Sequence, residues 1–132
     1  IISTAIMVGV IWTIQLVHYP SFNFINQKRY IKFQNFHMDR ISLVVMPIMS
    51  IEFLSGVLIL FMGIKNDLMF YFSMSILILI WLLTAIVFSR LHQKLTKGYQ
   101  SSIINRLINI NWLRTFLWTL RILLLILYVE NA

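Results

Sequence analysis

Apolar residues in this chain come in long runs, not in the alternation of a half-buried strand or the narrow stripe of a soluble amphipathic helix. No Lys, Arg, Asp or Glu precedes Lys28, none lies between Asp67 and Arg90, and Glu52 alone interrupts residues 41–64. Nearly uncharged runs of about 18 residues or more read as transmembrane helices, so four spans are expected. The first covers about residues 1–24, with Pro20 near its end expected to kink the last turn. Asn26 is a candidate cap for a second helix, which opens amphipathically through Lys28, Arg29, Lys32, His37 and Arg40 and crosses over residues 41–61.

Gly63, Lys65, Asn66 and Asp67 predict a turn short enough to force an antiparallel neighbour. The third span follows over about residues 68–89 and frays into Arg90, His92, Lys94 and Lys97. Gly98 suits a helix exit, and Ser101 or Ser102 suits the next cap. The fourth helix is amphipathic over 103–111 and crosses over about 112–129. With no repeat or linker, residues 1–132 are expected to form one all-α domain, an up-down-up-down bundle of four transmembrane helices.

Composition supports the pattern. Of 132 residues 60% are apolar, against roughly 45–50% in a soluble domain, which excludes a soluble monomer. Cysteine is absent, which removes disulfides, thiolate metal sites and cysteine nucleophiles. The net charge of +7 belongs to cations flanking the spans, so lipid headgroups and not nucleic acid are the expected counterions. Lys28, Arg29, Lys32, Arg40, Arg90, Lys94, Lys97, Arg106 and Arg114 fall on one side, against Lys65 with Asp67 and Glu130 on the other. The positive-inside rule then predicts a multi-pass protein of the cell membrane with both termini extracytoplasmic. The first segment lacks a cationic leader and a small-residue cleavage site, so it is read as a mature span.

Chemistry is confined to a few residues. Glu52 lies roughly 16 Å past Ile41 and Arg121 roughly 13 Å past Trp112 at 1.5 Å per residue, so the two are expected to meet between helices. Arg114, Trp118 and Arg121 recur on one face, a stripe suited either to a structural ion pair or to an anion, quinone or propionate site. His18 and His37 are expected to approach one another at the basic end, where paired imidazoles can ligate haem iron or a divalent metal. Arg40 completes the expected rim, whereas His92, among cations, is expected to be solvated. No phosphate-binding glycine loop, His-Glu-x-x-His helix or nucleophilic triad is present, which argues against hydrolysis and nucleotide-driven work.

Trp12-x3-Leu16-x3-Pro20, then Met38-Asp39-Arg40 leading to Pro47 and Gly56, resembles the first half of the HemJ-type protoporphyrinogen oxidases. The layout is also similar to copper-resistance-D-type and anthrone-oxygenase-like membrane proteins. The resemblance implies a small four-helix membrane protein with haem and a tetrapyrrole or aromatic substrate. Ala5 stands where that family has a histidine, and Asn111-Trp112-Leu113-Arg114 replaces its usual ending, so no haem ligand is carried over.

The expectation is therefore a membrane oxidoreductase for a hydrophobic molecule such as a porphyrin, quinone or aromatic. Glu52, Arg114 and Arg121 would be its catalytic groups; His18, His37, Arg40 and Trp118 would hold the cofactor. The alternatives are a non-catalytic subunit of a larger membrane complex, a homo-oligomer, a lipid-binding bundle, or a small carrier whose Glu52 takes and releases a proton.

Overall fold

In hydrocarbon, backbone groups must find partners within the protein, and a single long run of apolar residues can satisfy its own only as a helix. The computed structural model describes residues 1–63 and 67–130, all helical apart from short connections; the expected turn through Lys65 and Asn66 lies outside them. Four helices are long and apolar enough to cross a membrane: α1 (Ile2–Phe24), α2 (Gln27–Met62), α3 (Leu68–Leu95) and α4 (Ser101–Glu130).

Local chemistry sets their ends. The Asn26 side chain accepts from the Lys28 amide at 2.9 Å and starts α2 as a 3-10 turn. Gly63 ends α2 at φ +63°, a left-handed conformation that costs glycine nothing. Asp67 caps α3 by accepting from the Phe70 amide at 2.8 Å. At the start of α4 the Gln100 carbonyl accepts from the Ile103 and Ile104 amides, so Ser101 lies inside the helix and not at its cap.

Pro20 has no amide to give to the ladder. The chain meets this not with a kinked last turn alone but with a π-helical turn, Ile14–His18, just before the proline and a 3-10 turn, Phe22–Phe24, after it. A second π-helical turn, Leu83–Phe88, interrupts α3 at the same end of the bundle.

α4 packs along both α1 and α3, and α1 packs on α2, closing an antiparallel ring. The interior sets polar side chains among apolar ones, and the outside of the spans is largely apolar. Thr4, Gln15, Gln34, His37, Glu52, Asn111, Arg114 and Arg121 are buried, while Leu16, Leu43, Leu54, Leu58, Phe72, Ile86 and Phe116 are exposed. Such faces suit contact with lipid, and bundles of this kind are specified by close packing and polar ties more than by the hydrophobic effect.

One packing point joins α2 to α3 at the end away from the histidines. A Cβ added at Gly56 would lie 2.5 Å from Met74 Sδ, so the thioether end of Met74 packs on the bare glycine and any side chain there must push it aside. Gly56→Val is expected to cost about 1–3 kcal/mol, read as a lower thermal midpoint in detergent, and Met74→Ala in the same chain should recover most of it. Equal midpoints for wild type and Gly56→Val would contradict this packing.

Candidate functional site

On α2, Val45, Met49, Glu52 and Gly56 recur at helical spacing on the buried face; on α4, Arg114, Trp118, Arg121 and Leu125 do the same. The facing stripes bring Glu52 and Arg121 into a direct ion pair with both side chains buried. Thr4 Oγ1 donates to Glu52 Oε1 at 2.7 Å and itself accepts from Arg121 Nη1. Trp118 Nε1 donates to Glu52 Oε2 at 3.3 Å, and Arg121 Nε donates to the Ser73 carbonyl at 3.3 Å. Both carboxylate oxygens therefore have donors, and all four helices contribute to the cluster.

At the basic end a second cluster forms. His18 Nε2 and His37 Nδ1 share a hydrogen bond of 2.7 Å. His92, contrary to its expected solvation, is hydrogen-bonded through both ring nitrogens, to Gln34 Nε2 at 2.9 Å and to the Tyr19 hydroxyl at 3.1 Å. Its place on a cation-rich stretch hid a packed position facing α1 and α2. An amide nitrogen can only donate, so His92 Nδ1 accepts and the ring proton sits on Nε2, which donates to the Tyr19 oxygen. The Tyr19 hydroxyl keeps its own proton to give elsewhere.

Arg114 lies between the clusters. Its guanidinium stands over the Phe88 ring at 4.2 Å and the Trp118 ring at 5.2 Å. Nη1 donates to Asn111 Oδ1 at 3.5 Å, and Asn111 donates on to Gln15 Oε1 at 2.8 Å. Tyr19, His92 and Arg114 all line a cavity of about 170 Å³. Its deep wall is made of buried Ile14, Tyr19, Phe88 and Arg114, and its rim of exposed Ser42 and Met46, so it opens sideways between α2 and α3. Both π-helical turns contribute to it, Ile14 from one and Thr84 with Phe88 from the other. Such turns are frequent at functional sites.

The residues expected to bound one site thus fall into two clusters. Glu52 and Arg121 sit in a sealed knot; His18 and His37 sit at the basic end; Trp118 touches the knot with its indole N–H and Arg114 with its ring. Arg40 is exposed, 5.5 Å from the Phe36 ring, in a groove that also touches His18 and His37. Among the residues that sequence reasoning did not assign, Thr4 and Gln15 were legible as polar positions in phase with Met7 and Ile11, whereas Gln34 and the Ser73 carbonyl gave no signal.

The histidine pair can be tested against the haem or divalent metal that the resemblance implies. A metal bridging two imidazoles at about 2.0–2.1 Å from each nitrogen cannot sit within a 2.7 Å hydrogen bond. Among the described residues no group of three or more His, Asp or Glu donors is arranged for a metal ion. His37 Nε2, however, is buried without a partner, so the pair fits attachment through that one atom and not a site between the rings.

Comparisons with protein families, with curated proteins and with solved structures return no match.

Breaking a buried ion pair from one side leaves the other charge uncompensated, at a cost of about 3–5 kcal/mol. Glu52→Gln is therefore expected to lower the thermal midpoint sharply, while Glu52→Gln combined with Arg121→Met should lose less than Glu52→Gln alone. A double variant less stable than the single one would show that the ion pair is not the source of the loss.

Proposed function

We propose that this chain is a multi-pass protein of the cell membrane that binds a hydrophobic molecule by its polar head at the basic end of the bundle, as a membrane oxidoreductase for a quinone, porphyrin or other aromatic. The observation that carries this reading is the convergence of Arg114, Tyr19 and His92 on a cavity that opens toward lipid. A cavity of about 150 Å³ is enough to hold a benzene ring, so the 170 Å³ here favours a quinone or a single aromatic ring over a whole porphyrin.

Within that site Arg114 and the Tyr19 hydroxyl donate to an oxygen of the bound head, Phe88 and Ile14 exclude water, and His92 holds the Tyr19 oxygen in place by donating to it. If a haem or divalent metal is carried, His37 Nε2 would hold it, and a haem would supply one-electron redox chemistry, a divalent metal Lewis acidity. In nanodiscs, a decyl-benzoquinone is expected to quench tryptophan fluorescence saturably, and Val45→Phe, which fills the cavity, to abolish saturation. Quenching no different from that of free tryptophan in the same lipid would overturn the reading. A Soret band in the purified protein, lost in His37→Ala, would support the haem; its absence removes the haem.

The same reading places the basic end in the cytoplasm. Of the nine cations counted on that side, eight are exposed and only Arg114 is buried, which leaves a strong bias for the positive-inside rule to act on. With no native cysteine to interfere, Cys at Lys97 is expected to resist an impermeant maleimide in intact cells and Cys at Glu130 to label. The opposite pattern would invert the topology.

A further inference from the structure

A full accounting of negative charge singles out Arg114. The sequence has four carboxylate side chains. Glu52 is bound to Arg121, Asp67 caps α3, and Asp39 and Glu130 are exposed. Among the described residues, then, no carboxylate pairs with Arg114, although only 4% of it is exposed. Its guanidinium has two aromatic faces, Phe88 and Trp118, one long hydrogen bond to Asn111 and one to the neutral Tyr19 oxygen, and its Nε has no partner, so no anion answers its charge. A buried cation is costly unless an anion or water answers it, and this one lines a cavity.

We infer that the cavity is a receptor for the carboxylate of a membrane-dissolved acid, with Arg114 and the Tyr19 hydroxyl as its two donors. This rests on the cavity reading above and narrows its ligand from any polar head to an anionic one. An arginine fork is the side chain best matched to a carboxylate, and the Tyr19 proton is left free by the His92 tautomer. The walls from Ile41, Val45 and Met46 are apolar and lead to the opening between α2 and α3, so the acid's hydrocarbon part extends from the carboxylate toward lipid.

Depth selects the source of the anion. Arg114 is eight residues beyond Arg106, the last exposed cation on α4, or about 12 Å further along the helix. A phospholipid would have to carry its permanently charged phosphodiester and glycerol to that depth, whereas a free fatty or aromatic acid brings a single carboxyl that can move inward as the neutral acid.

The test uses the full chain in phosphatidylcholine nanodiscs, with energy transfer from tryptophan to cis-parinaric acid, displaced by excess oleate. The acid is expected to bind at least tenfold more tightly than its methyl ester. Arg114→Gln should abolish that preference, and Arg114→Lys, which keeps the charge without the fork, should retain part of it. Equal binding of acid and ester by wild type, a comparison that needs no variant to fold, would overturn the inference. Saturable quenching by decyl-benzoquinone in the same preparation would then show that the cavity still binds a hydrophobic molecule; its loss too would take the cavity reading down as well. Displacement of the probe by phosphatidylglycerol as effective as by oleate would overturn the free-acid assignment in favour of a lipid headgroup.

Discussion

A carboxylate and a guanidinium held together inside an apolar bundle set the terms for the rest of this structure. Neither Glu52 nor Arg121 can turn toward lipid without a heavy desolvation cost, so the two must meet. Their remaining valences draw in Thr4 from α1, the Ser73 carbonyl from α3 and Trp118 from α4. One knot thus fixes the rotation and register of four helices whose outer surfaces are uniformly greasy and carry no such information.

The contrast with Arg114, seven residues away on the same helix, is instructive. Both arginines are buried, but one has its anion and the other has only neutral partners, two rings, an amide and the Tyr19 hydroxyl, beside a cavity. The knot is complete and lies apart from the cavity; the basic end is incomplete, with an unpartnered His37 Nε2 and an unpartnered Arg114 Nε. The ion-pair knot and the proposed binding cavity are separated along the bundle axis, and Trp118 belongs to both, its indole N–H on Glu52 and its ring under Arg114.

Much of this was legible in the chain. Runs of uncharged residues give four spans because lipid leaves the backbone no other solution, and depth arithmetic brings Glu52 to Arg121 because charges at matching depths have nowhere else to go. The meeting of His18 with His37 follows from their places on either side of one short connection. The role of His92 did not, because a histidine among lysines looks solvated until a neighbouring helix covers it. Nor did the cavity, which depends on how far apart α2 and α3 stand at one end, a property of side-chain size and helix register that no single stretch encodes.

The two π-helical turns give the bundle a change of phase. Each packs one more residue into a turn than an α-helix does, so the sequence on its two sides follows two different angular clocks, about 100° apart. The far halves of α1 and α3 keep time with the ion pair, and the near halves keep time with the basic end. Losing one residue from Ile14–His18 would restore a plain α-helix of nearly the same total rotation, so Thr4 on one side and His18 with Tyr19 on the other would keep their faces. The π-helical turn is therefore the one stretch of α1 that can give up a residue and still present both the ion-pair face and the basic-end cluster, whereas the same deletion in the plain α-helix before it would turn the two faces about 100° apart.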